Sequence, residues 1–173
     1  LNNVLSYTVP KTIADMVDRF LNPHLKSLSA IDLGCGTGLC SEAIEQYLEY
    51  VVGIDIAENM IEIARNKNIY NKIYCATIPD GIPPLEAVDL ILAGDVFPYL
   101  GDLGMTFSWI KKHLKENGTA IFSVEKSNDK AFVLRNTARF AHSLKYLKQT
   151  AEQHNLTIAT YENTLLRTQQ RDY

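Results

Sequence analysis

The stretch AIDLGCGTGLCSEAI, residues 30–44, decides the fold because three alternate glycines directly follow an apolar run. The run 28–33 predicts a short buried strand, and the apolar residues of 37–49 recur at helical spacing. Glycines lack a β-carbon, so the turn between strand and helix can be tight and its backbone can approach a ligand. A strand, a glycine turn and a helix in this order are typical of a nucleotide site at a helix N-terminus.

The rest of the chain continues to alternate helices and strands. Helices are predicted over 9–22, 37–49, 58–68, 103–117 and 143–155, with Gly118 ending the fourth and Ser143 starting the fifth. Strands are predicted over 28–33, 50–56, 72–78, 87–96, 119–125 and 156–166. Because the strands are mostly continuous apolar runs, the fold class is α/β, with a mostly parallel central sheet covered by helices on both faces. Ligands of such sheets bind beyond the carboxyl ends of the strands, so functional residues are expected there.

Length and composition exclude several classes of protein. The 173 residues predict one domain over 1–173, and 46% apolar with 21% charged residues is ordinary for a globular protein. The net charge of −3 and the scattered basic residues argue against nucleic-acid or membrane partners. No apolar run has the length of about 20 residues that spans a bilayer, and no secretory signal is visible.

The three cysteines, Cys35, Cys40 and Cys75, cannot all pair and form no metal-binding C-x-x-C motif. We therefore expect reduced thiols, no metal site and a cytoplasmic location. The expected oligomeric state is a monomer or a homodimer.

The residues beside the glycines indicate which nucleotide is bound. A dinucleotide fingerprint needs glycine at position 39, where this chain has Leu39. Asp32 precedes the loop, and its carboxylate would repel a pyrophosphate but attract a ligand that carries an ammonium group. The alternative is that Asp32 only caps the turn through its side chain.

Asp55 closes the second predicted strand, about 20 residues after the first glycine, where an acidic residue can accept from both hydroxyls of a ribose. The alternative is that Asp55 caps the helix that follows. Ile56 and Met60 come next and are candidates to pack against an adenine ring. Methionine at helical spacing is also typical of an ordinary core position.

Four segments carry a resemblance to a known family: AIDLGCGTGL, VVGIDIAENMIEIAR, VDLILAGDVFPYLGDL and LKENGTAIFSVE. Together they resemble a class I S-adenosylmethionine-dependent methyltransferase across roughly residues 4 to 166. Shorter stretches such as LSYTVP and RFAHSLKYL resemble a bacterial subgroup, some members of which carry tetratricopeptide repeats that this chain does not show. The resemblance implies a Rossmann-like three-layer sandwich. The family's sheet has a seventh strand that the given sequence ends too early to form, and the chain starts without methionine, so we expect a truncated piece or an ordered core.

The resemblance places the cofactor, S-adenosylmethionine, on the glycine loop. Asp32 would lie near its ammonium group, Asp55 would hold the ribose, and Gly94 would approach the methionine end. The family's acidic partner of adenine is replaced by Thr77, so adenine would depend on backbone and on apolar contacts. The expected cofactor contacts are Tyr7, Asp32, Gly34, Cys35, Gly36, Gly38, Asp55, Ile56, Met60, Thr77, Ile78 and Gly94.

The methyl acceptor is expected at the same edge of the sheet. Its candidate catalytic residues are His142, Asp95 and Glu125, and its candidate binding residues are Phe97, Tyr99 and Arg139. A sulfonium carries its own leaving group, so in-line transfer needs alignment, and a base such as His142 helps only if the acceptor arrives protonated. Arg139 and His142, with Arg135 nearby, indicate an anionic acceptor such as a carboxylate, unless they are surface charges that fix the loop.

The sequence therefore predicts an enzyme that methylates a small molecule. Two rival interpretations are a protein or peptide methyltransferase and a cofactor-binding module without catalysis, which the missing adenine acid would favour. A nicotinamide dehydrogenase ranks last, because Leu39 breaks its glycine fingerprint.

Overall fold

Five parallel strands form a sheet at the centre of the computed structural model, which describes residues 8–128 and 131–164. The strands are β1 (Leu28–Leu33), β2 (Leu48–Asp55), β3 (Lys72–Cys75), β4 (Val88–Ala93) and β5 (Leu114–Phe122). Their order is β3-β2-β1-β4-β5, and the predicted parallel α/β sheet is confirmed. The chain reverses its winding direction between β1 and β4, which opens a crevice at their carboxyl ends.

Helices cover both faces of this sheet. They are α1 (Val9–Met16), continued by a π-helical turn at Val17–Leu21, α2 (Leu39–Ala43), α3 (Glu58–Asn66), α4 (Gly104–His113) and α5 (Leu144–Gln153). Two short 3₁₀ turns lie at Glu45–Tyr47 and Phe97–Tyr99. One apolar core joins the sheet to α4 and α5, and a second joins its other face to α1 and α2. Ser143 caps α5 as predicted, because its hydroxyl accepts from the backbone of Tyr146 at 3.2 Å.

A second sheet of three short strands lies between β5 and α5 along the chain. Its strands are β6 (Glu125–Lys126), β7 (Phe132–Leu134) and β8 (Phe140–His142), in the order β6-β8-β7. The strands are only two or three residues long, so they carry no periodicity that the sequence could reveal. We call the segment 125–142 the small sheet; its aromatic side chains pack against Gly101 and Tyr146.

Two predicted helix ends and one predicted strand were wrong, and the predicted strands 72–78 and 87–96 are shorter than expected. The second helix ends before Leu48, because Leu48 already pairs with Leu28 in the sheet. The fourth helix ends at His113 rather than at Gly118, because Leu114 pairs with Val88 and the chain enters β5 there. Of the strand predicted over 156–166, the described part 156–164 has no strand; Leu156 and Ile158 instead pack onto the core beside α5.

Among the residues that the structure describes, no helix combines the length and the apolarity needed to cross a membrane.

Candidate functional site

The glycine loop leaves β1 in a conformation that other residues rarely adopt. Gly34, Gly36 and Gly38 have φ of +63°, +52° and +86°. A β-carbon at Gly34 would overlap the side chain of Val96, and one at Gly38 would lie 3.1 Å from the ring of Tyr70. The backbone N–H of Cys35 donates to the carbonyl of Ile54 at 3.0 Å, which fixes the loop against β2.

Asp55 joins the end of β2 to the glycine loop. Its Oδ2 accepts from the backbone N–H of Gly36 at 2.7 Å, and its Oδ1 accepts from that of Ala57 at 2.8 Å. Ala57 is the N-cap of α3 and no side chain caps this helix, so the alternative of Asp55 as its cap is wrong; the bond to Ala57 closes a turn before the helix. Each carboxylate oxygen has further lone pairs, so both can accept hydroxyl groups as well.

Asp32 lies beneath the loop and is only 1% exposed. Its Oδ2 accepts from the hydroxyl of Ser41 at 2.6 Å and from that of Tyr70 at 2.8 Å. Burial raises the pKa of Asp32 to about 6, although these two hydrogen bonds oppose the rise by stabilising the carboxylate. Its predicted position near an ammonium group stays a prediction.

The residues predicted to contact adenine follow β2 and β3 along the chain. Ile56 is 69% exposed and Met60 is 40% exposed, so Met60 is not the ordinary core residue that its helical spacing also allowed. Thr77 is exposed, and its carbonyl accepts from the N–H of Gly81 at 2.9 Å. Ile78 is half-buried against the core. The exposed side chains of Ile56 and Met60 provide an apolar surface on which a flat ring can pack.

Gly94 is buried at the end of β4. A β-carbon there would lie 2.6 Å from the sulfur of Cys40 and 3.0 Å from Val9, so packing against α1 and α2 accounts for the glycine. Its approach to a cofactor stays a prediction.

Arg139 is the centre of a charged network on the acceptor side. Its Nε donates to Glu125, one terminal nitrogen donates to Asp95, and the other donates to the hydroxyl of Tyr99 at 2.9 Å. Burial alone would lower the pKa of Arg139, but the hydrogen bonds that Arg139 donates to Asp95 and Glu125 outweigh it and raise that pKa. The guanidinium nitrogens are therefore engaged with protein groups, which argues against the predicted role of Arg139 in binding an anionic acceptor.

This network ties the small sheet to the main sheet, because Asp95 follows β4 while Glu125 begins β6 and Arg139 directly precedes β8. We expect Arg139→Ala to lower the free energy of unfolding by about 2 kcal/mol, since it leaves two half-buried carboxylates without their cation. Chemical denaturation measures this change, and amide hydrogen exchange over 125–142 should become faster. The matched control is Arg135→Ala, which removes an exposed arginine that lies 3.8 Å from Glu125 and donates to the carbonyl of Lys126 at 2.6 Å. Because both contacts are exposed, it should cost less than about 1 kcal/mol. Equal losses in the two variants would contradict this interpretation of the network.

Burial argues against the predicted roles of two acceptor residues, Phe97 and His142. Phe97 is 0% exposed and packs against Phe107 and Phe122, so it belongs to the core and does not line a pocket. His142 is 1% exposed, and its Nε2 donates to the carbonyl of Gly101 at 2.9 Å. Burial lowers the pKa of His142, and a ring this deeply buried argues against the predicted role of His142 as a base. Tyr7 lies outside the described residues.

The cysteines are free thiols, as predicted. Cys35 and Cys40 are buried and Cys75 is exposed. Burial raises the pKa of Cys35, which keeps it protonated beside the carboxylate of Asp32. Within the described residues, no cluster of three or more His, Cys, Asp or Glu side chains is arranged to hold a metal ion.

Tyr70 and Ser41 are the residues of this site that sequence reasoning missed. The available signal was Gly53, a glycine inside an apolar strand, which indicates that another group approaches the backbone closely. That group is the ring of Tyr70, which lies 3.0 Å from where a β-carbon of Gly53 would be.

Comparison with known proteins identifies the family. Residues 5–163 match the family model described as a methyltransferase domain, so the chain belongs to this methyltransferase family. It is 28% identical to the ubiquinone biosynthesis O-methyltransferase of Pelagibacter ubique over 132 residues, which are 75% of this chain and 55% of that protein. It is 32% identical to the malonyl-[acyl-carrier protein] O-methyltransferase of Bacillus anthracis over 101 residues, 56% of this chain and 37% of that protein. The chain spans about half the length of the curated relatives that it matches first.

Solved structures share the fold at low sequence identity. A SAM-dependent methyltransferase from Leishmania major is similar with a TM-score of 0.70 and 18% identity, covering 92% of this chain and 70% of that chain. The O-methyltransferase of a Brevibacillus brevis trans-AT PKS multienzyme, solved in complex with S-adenosyl-L-homocysteine, has a TM-score of 0.68 and 16% identity, covering 85% and 51%. At these identities the likeness shows the Rossmann-like fold alone.

Proposed function

We propose that this chain binds S-adenosylmethionine and transfers its methyl group to an oxygen atom of a small-molecule acceptor. The observation that carries the proposal is the carboxylate of Asp55, which is bonded to the glycine loop at the carboxyl edge of the sheet. In a chain of the methyltransferase family, this arrangement provides acceptors for a ribose diol beside the exposed side chains of Ile56 and Met60.

The residues present fit the chemistry of this cofactor. The loop that follows Asp32 receives the cationic amino-acid end, because a buried carboxylate lies directly beneath it. Ile56 and Met60 offer apolar surface to adenine, and Thr77 replaces a carboxylate at its edge. When bound, S-adenosylmethionine supplies a methyl group on a sulfonium, which is itself a good leaving group.

The contribution of the chain is alignment and the exclusion of water, which can supply several kcal/mol of a barrier. Asp95 and Tyr99 follow β4 and form one side of the acceptor region, and Arg139 connects both to the small sheet. Asp95 and Glu125 are engaged with Arg139, so we assign them to holding the small sheet in place rather than to proton transfer. The two named relatives above are both O-methyltransferases, which supports oxygen as the acceptor atom.

Calorimetry tests the donor half of the proposal. We expect S-adenosylmethionine and S-adenosylhomocysteine to bind with dissociation constants on the order of micromolar, and NAD not to bind. Two residues explain this difference. Leu39 occupies the position at which a dinucleotide fingerprint needs its third glycine, and the carboxylate of Asp32 repels a pyrophosphate. Absence of binding by both sulfur nucleotides would overturn the proposal.

The same protein, incubated with S-adenosylmethionine and a panel of small hydroxy and carboxy compounds, should release S-adenosylhomocysteine with an O-methylated product. If the sulfur nucleotides bind but only peptides are methylated, the acceptor is a protein and not a small molecule. Binding without turnover on any compound would favour a module that binds the cofactor without catalysis.

A further inference from the structure

Tyr70 lies between the glycine loop and the sheet. Its ring is 3.1 Å from the place of a β-carbon on Gly38 and 3.0 Å from that on Gly53. Both positions are glycines, so the ring fits closely against the backbone of the loop on one side and of β2 on the other. Tyr70 lies just before β3, far along the chain from both glycines, and packs with the core that includes α1 and α2.

The hydroxyl of Tyr70 reaches the buried carboxylate beneath the loop. It donates to Oδ2 of Asp32 at 2.8 Å, and the hydroxyl of Ser41 on α2 donates to the same oxygen at 2.6 Å. In the part of the chain that the structure describes, the other titratable groups shown to act on Asp32 are the carboxylate of Asp55 on β2 and the thiols of the two buried cysteines. None of these groups is a cation, so the two hydroxyl donors stabilise the negative charge of Asp32.

We infer that Tyr70 is a positioning residue of the cofactor site: its ring supports the glycine loop, and its hydroxyl holds a negative carboxylate of Asp32 beneath the amino-acid end of the cofactor. The inference rests on the proposed function, because the ligand whose ammonium group is attracted is S-adenosylmethionine or its demethylated product. The inference adds to the cofactor site a residue that no sequence motif marks. It gives the ring of Tyr70 a packing role and the hydroxyl of Tyr70 an electrostatic role.

This role makes cofactor affinity depend on pH in a defined direction. The folded-state pKa of Asp32 is raised to about 6, so the carboxylate is charged above that pH and becomes neutral as the pH falls through it. Below that pH, Asp32 no longer attracts the ammonium group of the ligand, and the affinity falls. Removal of one hydroxyl donor raises the pKa of Asp32 further, so the loss of affinity must begin at a higher pH.

The test is the affinity for S-adenosylhomocysteine between about pH 5 and pH 8, measured by calorimetry on wild type and Tyr70→Phe. The variant keeps the ring, so the loop should keep its support. We expect the midpoint of the pH profile to move up by about one unit, with binding about fivefold weaker than wild type at pH 6. Ser41→Ala should move the midpoint in the same direction. Tyr161→Phe, which removes an exposed hydroxyl outside the site, should leave the profile unchanged.

A second ligand separates the charge effect from a packing effect. The nucleoside 5′-methylthioadenosine lacks the amino-acid end, so Tyr70→Phe should leave its affinity and pH profile unchanged. An unchanged midpoint for S-adenosylhomocysteine in Tyr70→Phe would overturn the inference while the proposed function stands. Equal weakening of both ligands at every pH would overturn it too, since the hydroxyl would then act only through packing. If wild type binds neither ligand, the proposed function itself fails.

Discussion

Replacement of Asp55 by alanine is expected to weaken the binding of S-adenosylhomocysteine by about 100-fold or more. The variant loses the acceptors for two ribose hydroxyls, and hydrogen bonds to a charged group contribute about 1.5–3 kcal/mol each. It also loses the bond from the N–H of Gly36 that joins the loop to β2. Asp55→Asn should weaken binding as well, because one amide nitrogen would face either the N–H of Gly36 or that of Ala57. Calorimetry at constant pH measures both changes.

The control for this experiment is Glu62→Gln, which removes an exposed carboxylate from α3 and should not change the affinity. Thermal unfolding of each variant shows whether the protein is still folded. A folded Asp55→Ala protein whose affinity stays within threefold of wild type would refute the assignment of Asp55 to the ribose.

Replacement of Phe97 by alanine is expected to cost about 3–5 kcal/mol of stability. The ring is fully buried, with its centroid 4.7 Å from that of Phe122 and 6.2 Å from that of Phe107. Loss of the ring leaves a cavity between β5 and α4 that these neighbours cannot fill. For a chain of this size the melting temperature should fall by about 10 °C, measured by calorimetry or circular dichroism.

Met105→Ala is the matched control, because Met105 lies on α4 and is 62% exposed. Its cost should stay within about 0.5 kcal/mol. If Phe97→Ala is as stable as this control and instead weakens turnover, Phe97 lines the acceptor region after all and its assignment to the core is wrong.

The middle of the central sheet was predictable because β1, β2 and β4 are mostly buried and therefore mostly apolar. The run 28–33 is apolar except for Ser29 and Asp32, and it coincides with β1. The end of α4 was not predictable from local spacing, since Leu114 still fits the helical pattern. What ends that helix is the pairing of Leu114 with Val88, a contact between residues distant in the chain. Gly118 therefore serves close packing inside β5, where a β-carbon would lie 3.0 Å from the carbonyl of Lys115.

The donor half of the site followed from the sequence better than the acceptor half. The glycine loop and Asp55 belong to compact motifs, in which the residue types themselves define the chemistry. The tasks of Phe97, Arg139 and His142 depend instead on partners far along the chain, such as Phe122, Asp95 and Gly101. From residue type alone, Phe97 was predicted to line the acceptor pocket, Arg139 to bind an anion and His142 to act as a base. Burial and hydrogen bonding in the folded chain determine what each side chain does.

The close fit of Tyr70 against Gly53 also means that substitutions at these positions are not independent. A methyl group at Gly53 would meet the ring of Tyr70 at 3.0 Å, so alanine there is strained while the tyrosine remains. The same alanine meets less resistance once residue 70 is small. The costs of two such changes do not add, because neighbours that share one space are energetically coupled. Which residues evolution can accept at position 70 therefore depends on the residue at position 53 in β2.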